Sequence, residues 1–111
     1  QGLGWVTTED LKWNKDGKLL NASPDTYKIP TISDVPVELN VELLENAYND
    51  NTIRGSKAVG EPPFPMAVSV WLAIKYAIAS VNNHTMEPIL SIPATNEEVV
   101  LAIQRLKATE E

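Results

Sequence analysis

The residues best equipped for chemistry in this 111-residue chain lie in one stretch, Gly55-Ser-Lys-Ala-Val-Gly-Glu-Pro-Pro63. Pro62 and Pro63 fix their own φ and offer no amide donor, and each biases the residue before it toward extended backbone. Glu61 therefore sits on a stiff arm at the start of a helix-patterned, apolar segment. Gly60, lacking a Cβ, is expected to let the backbone approach another group closely. A helix N-terminus favours the carboxylate anion, while burial opposes it. Those opposed pressures suit a general base, which must be charged, poorly solvated and aimed at one point. By residue type and spacing alone, a glutamate that merely complements the helix dipole is the commoner occupant of such a position.

Other candidates carry less. Gly55-Ser-Lys57 is not a phosphate loop, because the order is Ser-Lys and prolines follow where a helix should open. Lys75 lies among apolar residues, and the ordinary expectation is a stem along apolar surface with its amine in water. His84 and Glu87, three apart, are two ligands, too few for a metal site. Trp5, Trp13, Trp71, Tyr27, Tyr48 and Tyr76 lack interleaved basic residues, so packing is the expected role. Asn21-Ala-Ser23 and Asn83-His-Thr85 match the glycosylation pattern and are expected to be unused.

Composition narrows the classes further. Nine Lys and Arg stand against fifteen Asp and Glu, a net charge of −6. No concentrated basic face is available for nucleic acid or an anionic membrane. The chain has no cysteine and one histidine, which removes disulfides, thiolate metal sites and a cysteine nucleophile. No basic region precedes an apolar core at Gln1-Gly-Leu-Gly-Trp5, so no signal peptide is read and the expected location is cytoplasmic. The opening reads as a chain entered in its middle. The longest apolar run, residues 66–81, counts 16 residues against the roughly 20 of a membrane span.

The elements that would position Glu61 read as a mixed α+β piece. Residues 1–11 are either the last turns of a helix or the beginning of a strand. A hairpin is expected over residues 11–20, with Asp16-Gly17 in its turn. Val37, Leu39, Val41 and Leu43 alternate with polar residues, the pattern of a half-buried strand. Residues 52–54 read as a short strand. A helix from Phe64 onward is apolar on every side, so it must be surrounded by protein, some of it outside this chain. Thr95-Asn-Glu-Glu98 opens a capped second helix with Val99, Val100, Ile103 and Leu106 facing inward, and Glu110 and Glu111 are expected to fray.

Several stretches together resemble the C-terminal end of the molybdenum hydroxylases, the xanthine dehydrogenase and aldehyde oxidase family. They are Gln1-Gly-Leu-Gly4, Thr26-Tyr-Lys-Ile-Pro-Thr31, Ser33-Asp-Val-Pro36 and, above all, Ser56-Lys-Ala-Val-Gly-Glu-Pro-Pro63. The Tyr-Lys-Ile-Pro and Ser-Asp-Val-Pro stretches look closer to the xanthine dehydrogenase branch. The resemblance implies that residues 1–111 are the terminal piece of a larger molybdopterin-binding domain. It also implies that Glu61 is the catalytic base beside molybdenum, in hydroxylation of N-heterocycles such as purines, or of aldehydes, with oxygen from water. The implied partners are the remainder of the molybdenum-binding subunit and modules carrying 2Fe-2S clusters and FAD. Most of the family's pterin cradle lies outside what is seen here, so no cofactor-binding residue is assigned. The isolated chain is expected to be inactive and to hold no cofactor. The competing expectation is a non-catalytic interaction module docking through its apolar helix.

Overall fold

The computed structural model describes residues 1–46, 48–57 and 59–109. Ala58 of the glycine-proline stretch, and Glu110 and Glu111, whose fraying was expected, lie outside the described residues. Among the described residues three α-helices organise the chain: α1 (Gly2–Thr7), α2 (Pro63–Ala79) and α3 (Asn96–Ala108). Short 3-10 turns occur at Ile32–Asp34, Ile53–Gly55 and Ser80–Asn82.

The described residues contain no β-strand, which corrects the α+β expectation. The hairpin turn itself forms: Gly17 takes φ +77°, and Asn14 Oδ1 accepts from the amides of Asp16 and Lys18 at 3.0 and 2.8 Å. Only one antiparallel bridge follows, Trp13 to Leu19. The ladder stops there because the side chain of Asn21 takes its place. Asn21 Oδ1 accepts from the Lys12 amide at 2.9 Å, and its Nδ2 donates to the Asp10 carbonyl. Asn21 is thus buried and engaged, which leaves its amide poorly placed for glycosylation.

Residues 35–44 are exposed without a strand partner: Val37 is 105% and Leu43 91% exposed. Alternation marks a face that wants covering, but pairing also needs a second strand's amides and carbonyls. Residues 52–54, read as a short strand, instead enter the Ile53–Gly55 turn, with Arg54 at φ +55°.

Helix α2 starts where it does because Pro63, at its first position, has no amide to leave unsatisfied. The Phe64 amide donates to the Glu61 carbonyl at 3.0 Å, and the Met66 amide to the Pro62 carbonyl at 3.2 Å. Helix α3 opens on Thr95, whose Oγ1 accepts from the Glu98 amide at 3.3 Å. Glu97 and Glu98 lie in its first turn and Arg105 and Lys107 in its last, matching the helix dipole. The core joins the end of α2 to α3: Ile78, Leu90, Ala94, Ala102 and Leu106 are buried, with Trp71, Ile74, Val99 and Ile103 against them. Val100, expected inward, is exposed, because the core needs only the stripe through Ala102 and Leu106.

Helix α1 is tied to that core by the Ala94 amide, which donates to the Val6 carbonyl at 2.7 Å. One face of α2 is less covered along most of its length. Phe64, Met66, Val68, Leu72 and Tyr76 are exposed. Helix α2 and the 3-10 turn that continues it, Pro63–Asn82, form a 20-residue path containing an 18-residue stretch of mean hydropathy 1.6, long and apolar enough to cross a membrane by length and composition. The length objection drawn from residues 66–81 therefore does not hold.

Candidate functional site

Glu61 stands immediately before the first turn of α2, and its carbonyl accepts the Phe64 amide of that turn. Its backbone is thereby coupled to the helix start, as the double proline leads one to expect. The side chain is exposed, at the edge of an open hollow of about 620 Å³ that it shares with Pro62, Phe64, Pro65 and Met66. The expected burial of this carboxylate is not found, because the surfaces beside it are apolar and uncovered. Gly60 also departs from expectation: a Cβ built there meets nothing within 4 Å.

The close approach occurs at Gly2 instead. A Cβ on this buried residue would stand 2.4 Å from the Pro63 carbonyl oxygen and 2.8 Å from Ala67 Cβ. The ring centroids of Trp5 and Phe64 lie 4.6 Å apart, so α1 grips the first turn of α2 at two points. A second hollow of about 620 Å³ runs between Gln1, Gly2 and Leu3 on one side and Val59, Pro62 and Met66 on the other. In the sequence Gly2 stands out only within the Gln1-Gly-Leu-Gly4 stretch; which atoms a glycine must admit is a three-dimensional property.

One loop residue ties back to the end of α1, and a second holds its own loop together. The Tyr27 hydroxyl donates to Glu9 Oε2 at 2.6 Å, just beyond α1. Asp34 Oδ2 accepts from the Thr31 amide at 2.7 Å, from its hydroxyl at 2.9 Å and from Lys28 Nζ at 3.1 Å. The backbone amide first, then the lysine, hold this carboxyl down to about 2.

The other candidates gather at the far end of α2. Lys75 is not left in water: its side chain is 19% exposed, its ammonium pairs with Glu87, and it stands 5.1 Å from the Trp71 ring centroid. The Lys75 hydrogen bond, with its charge behind it, holds the Glu87 carboxyl below the ordinary glutamate range. His84 stacks on Tyr76 with centroids 4.3 Å apart. Lys75, Tyr76, His84 and Glu87 line a cleft of about 310 Å³ with Leu72 and Met86. Glu61 is not part of it.

A molybdopterin would need several hydrogen-bond donors and a closed pocket. The hollow at Glu61 offers one carboxylate and apolar side chains, and the described residues hold no cluster of three His, Cys, Asp or Glu side chains. The residues described here do not by themselves fit that group.

Comparison with known proteins adds sequence relationships. Residues 1–36 match a family model described as a molybdopterin cofactor-binding domain. The chain is 46% identical to xanthine dehydrogenase 2 and 47% identical to xanthine dehydrogenase 1 of Arabidopsis thaliana, each over 112 aligned residues covering 92% of this chain. It is 44% identical over 105 residues to aldehyde oxidase 2 of Macaca fascicularis, again with 92% of this chain covered. The chain spans about 8% of the length of each of these relatives.

Proposed function

The chain is homologous to a segment of the xanthine dehydrogenase and aldehyde oxidase proteins, and from that premise we propose that it is part of a molybdenum-dependent hydroxylase whose catalytic base is Glu61. The identity of 46–47% over nine-tenths of the chain carries this reading. The substrate is a small electron-poor N-heterocycle, such as a purine, or an aldehyde. The cofactor, when bound by the complete protein, supplies the redox chemistry. With the cofactor held by the complete protein, the Glu61 carboxylate would serve as proton acceptor for the oxygen that joins the substrate carbon, a role for which its residue type is adequate at the right position. Electrons leave through iron–sulfur and flavin modules elsewhere in the assembly, and the protein works in the cytoplasm.

The remainder of the subunit covers the exposed face of α2 and closes the hollow at Glu61. Five exposed large apolar side chains on that helix support this, since a solvated helix would carry charge there. A protein surface suits α2 better than lipid: Lys75 pairs with Glu87 midway along it, and Ile78 and Ala79 are already packed in the core. By itself, then, the chain is inactive. The same exposed face also favours a second reading, in which the helix only docks the segment and Glu61 has no chemical role.

The reaction class is tested with the full-length protein in water enriched in oxygen-18, supplied with a purine or an aldehyde and an electron acceptor. The label is expected in the product. Incorporation from dioxygen, or no hydroxylation of either class, would overturn the assignment.

A further inference from the structure

The geometry points to Gly2 as a positioning residue that sets where the Glu61 carboxylate lies, an inference that rests on Glu61 being the base. Gly2 is buried in α1, and a Cβ at this residue would stand 2.4 Å from the Pro63 carbonyl oxygen and 2.8 Å from Ala67 Cβ. Neither neighbour is the flexible end of a side chain. One is backbone in the first turn of α2 and the other is a methyl fixed to the helix, so an added methyl must force α1 and that turn apart. That turn carries Glu61 with it, because the Phe64 amide is bonded to the Glu61 carbonyl at 3.0 Å and the Met66 amide to the Pro62 carbonyl at 3.2 Å. Pro62 and Pro63 stiffen the link, so little of the movement is absorbed before it reaches Glu61. The Trp5 ring against Phe64 holds the same turn from a second point.

Gly4 supplies an internal control. It lies in the same short helix and is also buried, but a Cβ there meets Glu9 Oε1 and the Pro30 ring rather than α2. Strain introduced at Gly4 therefore falls first on Glu9 and Pro30 and reaches the Glu61 turn only indirectly, through α1.

The test compares Gly2→Ala, Gly4→Ala, Glu61→Gln and the Gly2→Ala/Glu61→Gln pair in the full-length protein. A misplacement of about 1 Å costs on the order of a hundredfold in rate, so Gly2→Ala is expected to lower kcat tenfold to a hundredfold with KM little changed. Gly4→Ala is expected to lower it far less. In the Glu61→Gln background, Gly2→Ala should cost nothing further, since the group it positions is already gone. Hydrogen exchange gives a readout independent of turnover: Gly2→Ala should speed exchange at the Phe64 and Met66 amides and leave α3 unchanged. If Gly2→Ala does not accumulate, Trp5→Leu loosens the same contact without forcing an atom into it, and the same dependence on Glu61 is expected. A full loss of rate on top of Glu61→Gln, or equal losses at Gly2 and Gly4, would overturn the positioning role while leaving Glu61 as base. An active Glu61→Gln protein would instead remove the base assignment on which the inference rests.

Discussion

A lysine in the middle of an apolar helix can reach water along its stem, lose its charge, or find a partner. Lys75 takes the third course, between Glu87 and the face of Trp71. The consequence is pH-dependent in a definite direction. Glu87 titrates lower in the folded protein than in the unfolded chain, so the pair favours folding above the ordinary carboxylate range. That contribution fades as pH falls through the depressed folded value. Lys75→Met is expected to return the Glu87 carboxyl upward toward its ordinary value in a side-chain NMR titration. An unmoved Glu87 would show that the pair does not persist in solution. The pairing was not legible in the sequence, because twelve residues and a turn separate the partners. Glu61 was legible as a candidate through its prolines, whereas its exposure depends on surfaces no local pattern describes.

Elements were legible where their signals are local and complete. Helix α3 is such a case: the Thr95 hydroxyl, the acidic first turn and the basic last turn all lie within the segment they define. Thr95→Ala is expected to cost about 1 kcal/mol at that helix start, read as a severalfold rise in exchange of the Glu98 amide with α2 unaffected. An unchanged rate would mean that the cap is not made in solution. The expected hairpin, mid-chain strand and short strand at residues 52–54 failed for a different reason. Residues 37–43 show the alternation of a covered face, but a strand is defined by hydrogen bonds to a neighbour, and the described residues supply none. At the hairpin, the Asn21 side chain intercepts the ladder after one bridge, a tertiary event that the Asp-Gly signal does not encode.

The whole molecule is loosely gathered. Its radius of gyration is 18.3 Å, against about 13 Å for a compact domain of near this length. No large side chain among the described residues is fully buried, and the one cohesive core lies at the α2–α3 end. A surface of this kind accords with a segment that completes a larger subunit, and it is why the function proposed here belongs to the full-length protein. The most direct measurement is therefore made there: steady-state hydroxylation by the Glu61→Gln protein, with molybdenum and pterin content assayed on the same sample. Turnover is expected to fall by at least about a hundredfold with cofactor content essentially unchanged. Turnover retained near the unsubstituted level, with cofactor in place, would contradict the account and leave a packing unit that serves its partner only by docking.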